Sequence, residues 1–128
     1  MAIKNQNFEM YAANDVELDM SLFDEDGEPL DLTGSTVRWA LASAYDPTIA
    51  LLAKSSAGMG GILITSAAEG TVIVVLERED TLGFGGQPYV HEAAVINSDG
   101  AATTVLTGFV TINKTTNTNA ATLMIFLR

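Results

Sequence analysis

The sequence predicts an all-β protein, an antiparallel sandwich, and three observations carry this prediction. Residues 89–112 hold two runs rich in β-branched and aromatic residues on either side of Asp99-Gly100, a pair typical of tight hairpin turns. Residues 16–22 alternate between apolar and polar side chains, as a strand with one buried face does. Short segments rich in glycine separate the other apolar runs. These patterns favour strands and turns throughout.

The first half of the chain predicts three strands in order. Residues 16–22 end in the turn Asp24-Glu-Asp-Gly27, and residues 36–42 alternate again around Trp39. Residues 46–56 fit either a helix capped by Asp46-Pro47 or a strand, and the strand is the preferred prediction.

The second half begins with a predicted hairpin of residues 62–65 and 71–77. Residues 72–76 are apolar on both faces of that second strand, which indicates either a central strand covered from both sides or a subunit contact. The glycine clusters at 58–61 and 83–86 lack the spacing of a dinucleotide or phosphate loop, so we expect turns there.

About seven short strands match a sandwich of immunoglobulin type. Trp39 fits the position of that fold's core tryptophan, and Tyr89 fits its tyrosine corner. We therefore expect an immunoglobulin-like β-sandwich over residues 1–112, followed over residues 113–128 by a polar linker and a C-terminal interface strand.

Composition bounds the class of protein. With 128 residues the chain suits one domain, and with no cysteine it has no disulfide or thiol chemistry. The longest apolar stretches span five residues, against about 20 for a membrane helix, and the N-terminus lacks a signal-peptide core. We expect synthesis in the cytoplasm.

Charge excludes two classes of partner. The net charge is −10, and residues 1–31 contribute −8 of it, with nine acidic side chains against Lys4 alone. The six basic residues are too scattered to form a binding stripe for phosphates. We expect no binding to nucleic acid or to anionic membranes.

His91-Glu92 is the first candidate for chemistry, because an imidazole beside a carboxylate can act as a general base. Adjacent strand residues point to opposite faces, however, and the sequence has no G-x-S-x-G nucleophile elbow. If Glu92 faces solvent, then Tyr89, His91, Ala93 and Val95 face the core. We expect structural roles for His91, Trp39 and Tyr89, and no enzymatic activity.

The acidic turn at residues 24–28 is the second candidate, because clustered carboxylates suit calcium. Aligning Gly27 with the glycine of an EF-hand puts Leu22 and Thr33 at ligand positions, so that motif fails. A solvated hairpin turn is the preferred interpretation, and a weak surface ion site stays open. No catalytic, metal or cofactor residues are assigned.

The C-terminal segment is the third candidate. Its consecutive apolar residues would make both faces of a strand apolar, which suits strand addition to a neighbouring subunit. The alternative is that the segment folds back on its own sandwich. The predicted interface residues are Leu123, Met124, Ile125, Phe126 and Leu127.

Several strings together resemble a family of small immunoglobulin-like virion proteins of tailed bacteriophages, similar to the N-terminal domain of the baseplate upper protein. They are Leu30-Asp-Leu-Thr-Gly-Ser-Thr-Val-Arg-Trp39, Gly61-Ile-Leu-Ile-Thr65, Tyr89-x-His-Glu-Ala93, Asp99-Gly100 and Thr104-Val-Leu-Thr-Gly108. Their order over residues 8–112 carries the resemblance. The C-terminal segment departs from it, since a larger baseplate protein would continue into further domains.

The resemblance implies a non-enzymatic structural component of a virion, a small adaptor, decoration or tail-associated subunit. Its expected partners are copies of itself and other virion structural proteins, with no cofactor and no small-molecule substrate. Its expected location is the virion, after synthesis in the host bacterial cytoplasm. The alternative is a β-sandwich module that binds carbohydrate or the cell surface, which would need exposed aromatic platforms.

Overall fold

The structure is a computed structural model that describes residues 2–115 and 123–127. Nine strands and one short 3-10 helix, Arg78–Thr81, make up the described part of the chain. No helix in these residues is long and apolar enough to cross a membrane. The strands are β1 Phe8–Tyr11, β2 Val16–Ser21, β3 Thr36–Ser43, β4 Asp46–Ser55, β5 Ile62–Ser66, β6 Thr71–Leu76, β7 Pro88–Ile96, β8 Ala102–Asn113 and β9 Leu123–Leu127.

The strands form two sheets packed as a sandwich. The five-stranded sheet has the order β1-β8-β7-β3-β4, and the four-stranded sheet has the order β5-β6-β2-β9. These orders match the immunoglobulin frame, with β3, β7 and β8 as its C, F and G strands and β2, β6 and β5 as B, E and D. The predicted all-β, immunoglobulin-like fold is confirmed.

Two parallel pairings distinguish the structure from the expected seven antiparallel strands. Strand β1 pairs with β8, and β9 pairs with β2, both in parallel. Strand β1 has only four residues, too few for alternation to reveal it. Strand β9 occupies the sheet edge where an immunoglobulin sheet places its first strand.

The core lies between the sheets and follows from alternation along the strands. On β7, Tyr89, His91, Ala93 and Val95 are buried while Glu92 is exposed, as the sequence predicts. Residues Leu106, Val110 and Ile112 of β8 supply a buried face to the same core. The largest fully buried side chains are Trp39, Tyr89, Met10, Leu18, Met20, Leu22, Leu32, Leu41, Leu76 and Leu106.

Segment 46–56, ambiguous in the sequence, is a strand, as preferred. Strand β4 pairs with β3 and forms one edge of the five-stranded sheet. The register shifts between Leu41 and Ala42, where Leu52 and Ala50 are the successive partners. Leu51 is therefore an extra residue at a β-bulge, and its side chain is 47% exposed.

The C-terminal segment folds onto its own sandwich, the second of the two alternatives. Leu127 is buried and Ile125 packs against the core, whereas Phe126 is 74% exposed. The sandwich thus includes β9 and continues past the boundary expected at residue 112. The linker residues 116–122, and the side chains of Leu123 and Met124, lie outside the described part of the chain. An interface role for this segment stays a prediction, in which Phe126 is the described side chain that faces outward.

Candidate interaction surfaces

His91 is held from both sides of its ring. The indole Nε1–H of Trp39 donates to His91 Nδ1 at 3.0 Å, and His91 Nε2 lies 2.6 Å from the carbonyl oxygen of Gln6. Because Nδ1 accepts a hydrogen bond and a carbonyl can only accept one, the proton of the neutral imidazole lies on Nε2. The edge of the ring also meets Phe8 at a centroid distance of 5.0 Å.

This arrangement keeps His91 neutral. Burial lowers the pKa of His91 below its usual value, and the hydrogen bond to Gln6 opposes that shift. Glu92 lies on the opposite face, where its carboxylate accepts from the Thr104 hydroxyl at 3.4 Å. Both ring nitrogens therefore serve structure, and they tie β7 to β3 and to the N-terminal segment.

Gly108 lets that N-terminal segment approach. A Cβ atom on Gly108 would overlap the Gln6 carbonyl and lie 2.9 Å from His91 Nε2. The segment continues along β8 through backbone hydrogen bonds of Ile3 with Val105 and Thr107. A glycine is therefore required at position 108, where the N-terminal segment passes over β8 beside His91.

Tyr89 forms the expected corner. Its hydroxyl accepts from the backbone N–H of Gly85 at 2.7 Å, four residues upstream. Its ring stacks on Phe84 at a centroid distance of 5.7 Å. The bond fixes the glycine-rich loop before β7, which is the role of a tyrosine corner in immunoglobulin sandwiches.

The acidic turn is closed by its own carboxylate. Asp24 Oδ1 accepts from the backbone N–H groups of Asp26 and Glu28, at 2.9 and 3.0 Å. Gly27 takes the positive φ of 80° that the turn requires. Within residues 2–115 and 123–127, no three His, Asp or Glu side chains are grouped closely enough to hold a metal ion. The Asp24 carboxylate thus caps a hairpin turn.

The outer surface of the five-stranded sheet carries a groove of about 430 Å³. We call this surface the groove face. Ala40, Ala42 and Ala50 line the groove. The strand register places Ala40 between Glu92 of β7 and Ala53 of β4, and Ala42 between Val90 and Ala50. Phe109, 59% exposed, lines its β8 side. The polar and charged lining includes Lys4, Asn5, Thr48, Glu92 and Thr107.

The outer surface of the four-stranded sheet carries a row of side chains across all four strands. We call it the acidic face. The register aligns Leu63, Ile73, Asp19 and Phe126, one residue from each strand. Leu63 is 61% exposed, and Phe126 is the most exposed member of the row. Glu17 lies two residues before Asp19 on the same face of β2.

The two faces differ in charge. Lys4, in the segment before β1, and Arg38, on β3, are exposed on the groove face, which also carries the carboxylate of Glu92 on β7. The acidic face carries the two carboxylates of β2. The salt bridges found in the described residues lie elsewhere and join Lys54 to Asp80 at 2.7 Å and Arg78 to Glu79 at 3.4 Å.

One sign of these faces is present in the sequence. Strand β6 is apolar throughout, and the structure buries Val72, Val74 and Leu76 while Ile73 and Val75 are only partly buried. Within the described chain no further layer covers that side, so the subunit contact suggested by the sequence stays a prediction. The groove has no such signal, because its members come from distant segments joined by sheet register.

No protein-family profile and no curated protein matches the sequence. One similar solved structure is a chain in a crystal structure of ICOS in complex with ICOS-L and an anti ICOS-L VNAR domain, at 17% identity and a TM-score of 0.45. The match covers 89% of this chain and 56% of that chain, so this chain spans little more than half of that neighbour's length. The strand orders of the two sheets carry the fold assignment described above.

Proposed function

We propose that this chain is a non-enzymatic structural subunit of a tailed-bacteriophage virion, which acts through protein–protein assembly. The observation that supports assembly is the pair of outer faces. Each sheet turns a large apolar side chain to solvent on its outer surface, Phe109 of β8 on one and Phe126 of the edge strand β9 on the other. Exposed apolar patches of this kind are typical of surfaces that contact other proteins.

The virion assignment is supported by the ordered strings that resemble phage proteins. A structural role is also compatible with the state of His91, the one histidine of the chain, because both of its ring nitrogens are hydrogen-bonded in the core. Under this proposal the protein supplies contacts, and its acidic quarter faces a partner or the solvent.

The test is to look for the chain in particles. Virions purified from a lysate of the source organism should contain it in fixed stoichiometry to the other structural proteins, measured by quantitative mass spectrometry. Particles from a strain that lacks the gene should be incomplete or unstable. Fully infectious particles without the chain would contradict the proposal.

A second candidate is carbohydrate binding, favoured by the position of Phe109 at the groove beside Asn5 and Glu92. An exposed aromatic ring with polar neighbours is the kind of platform that a sugar ring needs. Addition of the matching glycan should then raise the melting temperature by linkage, and Phe109→Ala should abolish that rise. Structural assembly predicts no such effect.

A further inference from the structure

We infer that copies of this chain associate head to tail, with the acidic face of one copy docked on the groove face of the next. The inference deepens the assembly role proposed above by naming the partner, a second copy, and the two surfaces that meet. It commits Phe126 to the groove and Asp19 to the cationic side chains that flank it.

Shape is the first argument. The acidic face projects Phe126 and Leu63, the two exposed ends of its row, into solvent. The groove face is recessed because Ala40, Ala42 and Ala50 leave space above the sheet. Burial of a protruding aromatic side chain in a recess floored by small apolar residues is the usual anchor of a protein interface.

Charge is the second argument. Asp19 stands beside Phe126 across the sheet, with Glu17 nearby. The groove face offers two cationic side chains, Lys4 on the lining and Arg38 on the same side of β3, against one carboxylate on the lining, that of Glu92. Since each copy has a net charge of −10, copies repel one another at long range, and association needs opposite charges at the contact.

The same facts disfavour a symmetric contact. Two acidic faces placed together would oppose the carboxylates of Glu17 and Asp19 to their own copies, and like charges directly opposite are destabilising. Two groove faces placed together would leave Phe126 and Leu63 of both copies exposed to solvent. The favoured contact joins two different faces.

A contact between opposite faces of one sandwich does not close after two copies. It continues until the rotation between copies closes a ring, or it makes a filament. A small subunit with this property can build a symmetric layer on a larger particle.

The experiment uses two variants of the full chain, each blocked on one face. Ala50→Arg fills the groove from an exposed position of β4, and Phe126→Glu removes the anchor from the other face. Met59→Glu is the matched control, because Met59 is fully exposed in the turn between β4 and β5 and belongs to neither face. Circular dichroism establishes that each variant is folded.

Mass is then measured by size exclusion with light scattering. We expect the wild type and Met59→Glu to exceed the mass of a dimer as concentration rises, and each blocked variant to be a monomer. An equimolar mixture of the two blocked variants retains one intact pair of faces, so it should form a dimer and grow no further. This stop at two chains is the signature of a head-to-tail contact.

Charge is tested by exchange. Lys4→Glu or Asp19→Lys alone should weaken association roughly tenfold, and the two together in one chain should restore it, because every head-to-tail contact then pairs the swapped charges. Absence of rescue would overturn the assignment of these two residues to one contact.

Three further results would overturn the inference. The first is a wild type that stays monomeric up to about 1 mM, the concentration that corresponds to about 4 kcal/mol of association free energy. The others are a wild-type dimer that neither Ala50→Arg nor Phe126→Glu affects, and blocked variants that do not associate when mixed. A chain found in virions but monomeric in solution would overturn this inference and leave the proposed function standing. A chain that assembles head to tail but is absent from virions would contradict the proposed function and leave this inference standing.

Discussion

Acidification should destabilise this protein through protonation of His91. The perturbation is a pH series applied to the wild type and to His91→Gln, a side chain that keeps one donor and one acceptor but cannot titrate. In the folded chain, protonation of Nδ1 would point a proton at the Trp39 N–H that now donates to it. The folded state therefore resists the proton, and burial lowers the pKa of His91 accordingly.

The direction and size of the effect follow from linkage. Above the ordinary histidine pKa of 6.5 the imidazole is neutral in both the folded and the unfolded chain, and the pH has no effect through this group. Below it the unfolded chain binds a proton that the folded chain does not, so the free energy of unfolding falls with a slope that approaches about 1.4 kcal/mol per pH unit. The fall ends where the folded chain also accepts the proton.

The assay is urea unfolding followed by the fluorescence of Trp39, the one tryptophan of the chain, between pH 7.5 and 5. His91→Gln should be less stable than the wild type at pH 7.5 and should show a flatter dependence on pH over this range. Equal pH dependences of the free energy of unfolding in the two proteins would refute a neutral His91 that is hydrogen-bonded through both ring nitrogens.

Three further predictions concern stability. Gly108→Ala should destabilise the fold by about 2 kcal/mol or more, because the added Cβ overlaps the N-terminal segment at Gln6. Amide hydrogen exchange in that segment should become faster, and unchanged exchange would contradict the close approach of Gln6 to Gly108. Tyr89→Phe should lower the free energy of unfolding by about 1–2 kcal/mol through loss of the corner hydrogen bond, while Tyr11→Phe, at a half-exposed ring, should change it little; thermal unfolding compares the two. Leu127→Ala should destabilise by about 2–3 kcal/mol in urea, and Phe126→Ala by less than about 0.5 kcal/mol, if β9 packs on its own sandwich; equal small effects would place β9 elsewhere.

Much of the sandwich could be predicted from local pattern. Strand β2 alternates so regularly that its buried residues Val16, Leu18 and Met20 follow from the sequence alone. The burial of His91 followed from its position on β7, since exposure of Glu92 forces its neighbour inward. Alternation with a period of two residues is a local property, so the buried face of a strand can be predicted without knowledge of the fold.

The pairings between distant segments were beyond that reasoning. One hydrogen-bond partner of His91 is the backbone carbonyl of Gln6, eighty-five residues away. No pattern of side chains in the sequence predicts a bond to a backbone carbonyl. The parallel pairing of β9 with β2 was likewise not predictable. The sequence left open whether this segment joins a neighbouring subunit or folds back on its own sandwich. Such contacts depend on which strands pair with one another, and the residues of a single strand specify its pairing partner only weakly.

The all-β class, the inward face of each regular strand and the uneven distribution of charge follow from the amino-acid sequence alone. These depend on side-chain type and on the two-residue period of a strand, both of which can be read along the chain. The tertiary structure brings Leu63, Asp19 and Phe126 into one row, and it places Lys4 in the lining of the same groove as alanines of β3 and β4. A surface is made by strands brought side by side, so its shape and charge exist only once the register between them is fixed.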